Sequence, residues 1–409
     1  MAGDFTVDGL TRLFQDKVRE TSKEPDFQKD GGEIRFATGN EGEPLVKLAL
    51  GNVPVDYDLW EGLRNPAMVG LFPAGLPEIW ESYGRKSKQK VDEATGKTVF
   101  EIPPSYDFVL NNFRRAIIGS VMLPFSTEIA HNYVGEVTKD ENAVSMQFTK
   151  MHVELGRILD KAVVKVAAEI ASRNPDAVAI AMVGDTIRTI STEVVPQTHQ
   201  GLSHGPSKGG NYAQKSVAAL MGLGQFGVSR LIIRDEVVDG KIQRFAGPVR
   251  SIVIFDKNDL VTDGSDDMLY LTPAWRQFLI RLFDFTNADP EINQYRFCSH
   301  INTDLKSCTQ CIDICLSNAQ ANSVPEADGK YADNVSEQAR RFWQEKLQFD
   351  FEKCRDQQVR IRKSHADWFC GRCVTACVDR GIRRKNAVQN FSAKKSELTK
   401  KAAKTPVPA

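Results

Sequence analysis

All eight cysteines of this 409-residue chain fall between Cys298 and Cys377, and they spell one pattern twice. The first copy is Cys298, nine residues, then Cys308-x2-Cys311-x3-Cys315. The second is Cys354, fifteen residues, then Cys370-x2-Cys373-x3-Cys377. The 297 residues before Cys298 contain no thiol. Soft thiolate donors in two sets of four suit two [4Fe–4S] clusters, since each cube is held by four cysteine sulfurs.

Two other readings use the same residues: a pair of zinc sites with four thiolates each, or disulfides. The repeated x2-then-x3 step favours clusters, because simple zinc ribbons more often pair two Cys-x2-Cys knuckles. The N-terminus, MAGDFTVDGLTRLFQDKVRE, has neither an apolar h-region nor a twin arginine, which predicts a cytoplasmic protein. There thiols stay reduced, so clustered cysteines point to metal rather than to disulfides. In two-cluster ferredoxins the last cysteine of each motif ligates the other cluster. That swap predicts one cluster on Cys298, Cys308, Cys311 and Cys377, and a second on Cys354, Cys370, Cys373 and Cys315. Two features depart from the compact ferredoxin pattern: Leu316 and Val378 stand where proline is usual, and nine residues follow Cys298. Phe297, Trp343, Phe349, Phe351, Trp368 and Phe369 flank the motifs, either as an apolar shell tuning the clusters or as ordinary core.

Fifty-three basic residues balance fifty-three acidic ones, so nothing biases the whole chain toward nucleic acid or anionic lipid. The longest apolar runs, Ala177–Val183 and the broken Ala116–Phe125, are too short to span a bilayer.

Four regions follow from the patterning. Residues 1–105 carry scattered turn signals, such as Asp30-Gly31-Gly32 and Pro103-Pro104, and predict an irregular N-terminal region wrapped on a core. Within it, Gly84–Lys97 (GRKSKQKVDEATGK) predicts an exposed loop. Residues 106–285 alternate helical and buried-strand patterns, which predicts a layered α/β domain. Phe108–Leu123 has helical spacing. Met151–Asn174 repeats Leu155, Ile158, Leu159, Ala162, Val166, Ala167 and Ile170 at threes and fours, the mark of one apolar helix face. Ala177–Val183, Leu231–Ile233 and Ser251–Phe255 predict strands, with a turn at Val238-Asp239-Gly240-Lys241. Residues 286–385 hold the cysteines, and 386–409 form a basic, weakly apolar tail expected to be disordered.

Two glycine-rich segments, Gly201–Asn211 (GLSHGPSKGGN) and Gly222–Gly227 (GLGQFG), bracket a predicted helix at Tyr212–Met221. The second spells GxGxxG, but it follows a helix rather than a strand and opens no helix, so it lacks the context of a dinucleotide fingerprint.

These parts, in this order, resemble the cobalamin-dependent iron–sulfur reductases, which include reductive dehalogenases and epoxyqueuosine reductase. The resembling residues are Gly222-Leu223-Gly224-Gln225-Phe226-Gly227 running into Leu231-Ile232-Ile233; Val249–Asp256; Phe297-Cys298 with Cys308, Cys311 and Cys315; and Arg341-Phe342-Trp343, Lys353-Cys354 and Cys370-Gly371-x-Cys373-x3-Cys377. They cover roughly residues 150–385. The resemblance implies a nitroreductase-like corrinoid-binding domain followed by a two-cluster ferredoxin-like domain. An external donor such as ferredoxin or flavodoxin would pass electrons through both clusters to a bound cobalamin, which would reduce a small organic substrate, halogenated ones included. Gly205, Gly209, Gly210, Asn211, Gly222, Gly224, Gln225 and Gly227 would line the corrinoid, their backbone N–H groups suiting phosphate. An epoxyqueuosine-reductase-like activity and a corrinoid-free electron-transfer protein are the alternatives.

The active-site positions depart from the family. No tyrosine stands at the start of the helix over 151–174, where the dehalogenases place their proton donor; His152, Glu154 and Arg157 are there instead. Val228 occupies the site of a family basic residue, and Lys208 that of an acidic one in epoxyqueuosine reductase. The candidate proton donors are therefore His204, Lys208 and Tyr212 in and beside the glycine-rich loop, with His152 and Arg157 at the helix entry.

Overall fold

The clearest periodicity in the sequence becomes the longest helix among the described residues. In the computed structural model it runs over Met146–Arg173, five residues earlier than the apolar pattern suggests. The Ser145 side chain caps it, accepting from the Phe148 amide at 3.2 Å, which satisfies one of the free N–H groups of the first turn. The structure describes residues 6–28, 36–39, 42–56, 75–140, 143–183, 214–226, 232–238, 241–257, 268–270, 311, 314–315, 351–364 and 370–383.

In chain order the elements are α1 (Val7–Ser22), α2 (Pro25–Gln28), β1 (Lys47–Pro54), α3 (Leu76–Lys86), β2 (Gln89–Val91), β3 (Thr98–Phe100), α4 (Asp107–Asn112), β4 (Arg115–Met122), α5 (Thr127–Lys139) and α6 (Met146–Arg173). They continue with β5 (Ala177–Met182), α7 (Gln214–Leu220), β6 (Gln225–Phe226), β7 (Ile232–Val238), β8 (Lys241–Ala246), β9 (Val249–Asp256), β10 (Met268–Tyr270), α8 (Phe351–Ser364) and α9 (Arg372–Arg383).

Five strands form the main sheet in the order β10-β1-β4-β9-β5. Only β1 and β10 run parallel; the other neighbours are antiparallel. Both faces of this sheet are covered. Ile117, Val121, Ile252, Ile254 and Ala179 face a core shared with α1, α5, α6 and α9. Ile118, Met122, Val253, Phe255 and Ile180 face a second core, shared with α3, α4 and α7. The layered α/β class expected from the sequence is thus present, as a mixed and largely antiparallel sheet between helices. Burial on both faces is why Ala177–Met182 and Val249–Asp256 read as continuous apolar runs rather than alternating ones.

Three expectations are corrected. Phe108–Leu123 is not one helix: α4 stops at Asn112, Phe113 is extended (φ −120°, ψ 147°), and Arg115–Met122 is the central strand β4. A strand apolar on both faces has no polar side to reveal its period of two, and its Ile and Val content suits a sheet. Gly84–Lys97 is not wholly loop: β2 and β3 pair as an exposed hairpin, whose turn is held by Asp92 accepting from the Ala94 amide at 2.8 Å. Residues 1–105 are also more regular than their turn signals imply. α1 is an amphipathic helix burying Leu10, Phe14 and Val18, and β1 lies inside the main sheet.

A smaller sheet has the order β6-β7-β8; Asp239 and Gly240 of the expected turn lie outside the described residues. Val238 pairs with Lys241, and the register continues to Asp235 opposite Arg244.

Candidate functional site: a convergence of thiols on helix α9

Helix α9 carries the second cysteine motif. Its sequence, RCVTACVDRGIR, places Cys373 and Cys377 one turn apart, hence on one face. Val374, Ala376 and Val378 are buried, and α9 packs against α5 and β8.

The loop entering α9 is held at each residue. Gly371 has φ +58°, and a Cβ there would lie 2.0 Å from Phe148 Cε1, so only glycine combines this backbone with this contact. The Cys370 carbonyl accepts from the buried Tyr133 hydroxyl at 2.6 Å. The Cys370 amide donates to Gln358 Oε1 at 3.2 Å, which ties the loop to α8 one turn beyond Cys354. Arg372 reaches back through Nε to the Ala143 carbonyl at 3.1 Å.

Thiols from three stretches of sequence lie within electrostatic reach of Cys373. Burial pushes the Cys373 thiol well up, and the thiols of Cys370, Cys354, Cys315 and Cys377 push it further. Cys370 is raised mainly by burial, with Cys315 adding to it. Cys315 comes from the first motif, yet it acts on Cys370 and Cys373 of the second. None of the six described cysteines is in a disulfide, and Cys311 among them is buried. Among the described residues no three His, Cys, Asp or Glu side chains are already closed to metal-ligand distances. Cys298 and Cys308 lie outside the described residues.

A buried cation faces the same helix. Arg244 on β8 binds the Asp235 carboxylate in bidentate fashion, with Nε and Nη2 each at 2.6 Å. Its remaining Nη1 donates to Cys377 Sγ at 3.4 Å. On the other flank of α9, His131 Nδ1 lies 2.6 Å from the buried Asp379 carboxylate.

No family model, curated protein or solved structure matches this chain.

The remaining predicted residues distribute as follows. His204, Gly205, Lys208, Gly209, Gly210, Asn211, Tyr212 and Gly227 lie outside the described residues, as do residues 386–409. Gly222 has φ +78° and ends α7, while a Cβ on Gly224 would meet the Ile233 carbonyl oxygen at 2.6 Å. Gln225 pairs with Ile233 in the small sheet. Gly222 thus has a backbone reason and Gly224 a packing reason for being glycine. His152 packs edge-on against Phe125, with ring centroids 5.4 Å apart, and near Phe148 at 6.3 Å. Burial, then the charges of Lys215 and Arg250, lower its pKa to about 4, which keeps the imidazole neutral at physiological pH. Arg157 instead stacks over Phe27 at 5.4 Å, so the two helix-entry candidates contact different side chains.

Sequence reading missed Tyr133, Phe148, Asp235 and Arg244. The last two were recoverable, because a Val238–Lys241 turn fixes Asp235 opposite Arg244. Their approach to Cys377, 133 residues on, leaves no local trace.

Proposed function

We propose that this chain is an iron–sulfur oxidoreductase of the cobalamin-dependent reductase type, with one [4Fe–4S] cluster held by Cys315, Cys354, Cys370 and Cys373. The observation that carries the reading is the neighbourhood of Cys373, acted on by Cys370, Cys354 and Cys315, the set the crossed-ligand pattern assigns to one cluster, and also by Cys377, one turn along the same helix. The donor chemistry fits: the groups pressing on Cys373 besides burial are all thiols, soft donors suited to iron–sulfur clusters. Cys377, with Cys298, Cys308 and Cys311, would hold the second cluster. Such clusters supply one-electron transfer.

The protein's own residues do the positioning. Tyr133 and Gln358 fix both backbone groups of Cys370, and Phe148 closes the loop against solvent. The raised Cys370 and Cys373 thiols must shed their protons to ligate, so loading releases protons and is favoured by higher pH.

The corrinoid half of the reading rests on the resemblance. Reducing a carbon–halogen bond consumes two electrons and one proton and releases halide. The electrons would come from a ferredoxin- or flavodoxin-class donor, and the proton from His204, Lys208 or Tyr212, since the neutral His152 has no imidazolium proton to give. A second reading, an electron-transfer protein without corrinoid, is favoured by the backbone role of Gly222 and the packing role of Gly224. Zinc-bearing and epoxyqueuosine-reducing forms are the other outcomes to separate.

The absorption spectrum of anaerobically purified protein, incubated with cobalamin and passed over a desalting column, distinguishes them. We expect a broad violet-blue band that bleaches with dithionite, together with retained corrinoid bands. The cluster band alone supports the electron-transfer reading. A spectrum with neither band, and no iron, refutes both.

A further inference from the structure

Arg244 and Asp235 form an ion pair buried in a hairpin. Their side chains are only 3% and 4% exposed. Such pairs seldom add net stability, because removing two charges from water costs as much as their attraction returns. An apolar cross-strand pair would serve the small sheet as well, so the pair has some other use. The guanidinium geometry indicates it. Arginine presents its donors as a rigid planar fork. Asp235 saturates the Nε–Nη2 edge, which fixes the plane, and that plane aims Nη1 at Cys377 Sγ. With its charge already balanced by Asp235, Arg244 gives Cys377 a hydrogen bond without adding a net charge.

We infer that Arg244, oriented by Asp235, is a positioning residue that donates a hydrogen bond to the Cys377 sulfur as a cluster ligand and raises the reduction potential of the cluster Cys377 holds. The inference rests on the iron–sulfur reading above. Hydrogen bonds to ligand sulfur stabilise the reduced, more negative cluster. They need a donor fixed in a site closed to water, and the buried pair provides one. The hairpin β7–β8 thereby becomes a supporting element of the electron path.

The test is a redox titration of the iron-loaded full chain, followed by electron paramagnetic resonance, on the wild type and two variants. Arg244→Gln combined with Asp235→Asn removes both charges and leaves no buried charge uncompensated. Arg244→Lys keeps the charge but loses the fork. We expect wild-type iron content in both variants, one midpoint shifted to more negative potential, more so in the double variant, and the other midpoint unchanged. Two unchanged midpoints at full iron content overturn the inference while leaving the iron–sulfur reading intact. Wild-type protein without iron overturns the reading itself, and the inference with it.

Discussion

Gly371 is the residue on which the cysteine loop turns. Its positive φ and its contact with Phe148 leave no room for a methyl group. Gly371→Ala should cost about 2–4 kcal/mol, the sum of left-handed strain and overpacking, measured by urea denaturation. Adding Phe148→Leu should restore part of the loss, because the two sites share one contact. His152 gives a second prediction. Its folded pKa of about 4 lies below the ordinary 6.5, so between those values the unfolded chain takes up a proton that the folded chain refuses. Stability is full above 6.5, falls as pH drops toward 4, and changes no further from this group below that. The loss is on the order of 3 kcal/mol. Urea titrations at the two ends of that window, on wild type and His152→Gln, should show the slope in the first and its reduction in the second. At this scale the sequence was legible where chemistry repeats, as in the cysteines. It was silent where a residue such as Tyr133 acquires its role from a partner 237 positions away.

At the scale of elements, α9 is the piece whose docking matters most. Its inner face joins the core of α5 and α6, and Tyr133 on α5 holds the loop before it. Tyr133→Phe keeps the ring against Phe148 and removes the hydroxyl's hydrogen bond to the Cys370 carbonyl together with its interactions with Arg372 and Ser145, which should cost at least about 1 kcal/mol. Thermal melts should show that loss, with iron retained but released faster to a chelator. Loss of iron in step with unfolding alone would give Tyr133 no special part in the site. Helix α6 and strands β5 and β9 were readable, because one-sided helices and short apolar runs between turn signals have few alternatives; of β7 only Ile232 and Ile233 fell in an expected strand. Strand β4 was not. Its flanks are two helices, its faces are both buried, and its apolar positions satisfy a helical template as well as a strand.

At the scale of the molecule, residues far apart in sequence build one layered body. α1 packs on α6, with Lys165 bridging Glu20 and Glu24 at 2.7 and 2.9 Å, and β1 lies between β4 and β10. No helix among the described residues is long and apolar enough to cross a membrane. The second cysteine motif shares a core with this body, which the sequence, read as consecutive regions, did not disclose. The crossed-ligand pattern makes a prediction at this scale: Cys308→Ala and Cys354→Ala should each remove one cluster and leave the other. Simultaneous loss of both clusters in either variant would contradict independent sites. The most direct test of the whole account is the iron and acid-labile sulfide content of the anaerobically purified chain. Two cubane clusters require about eight irons and about eight sulfides per chain; zinc in place of iron, or no metal at all, would contradict it.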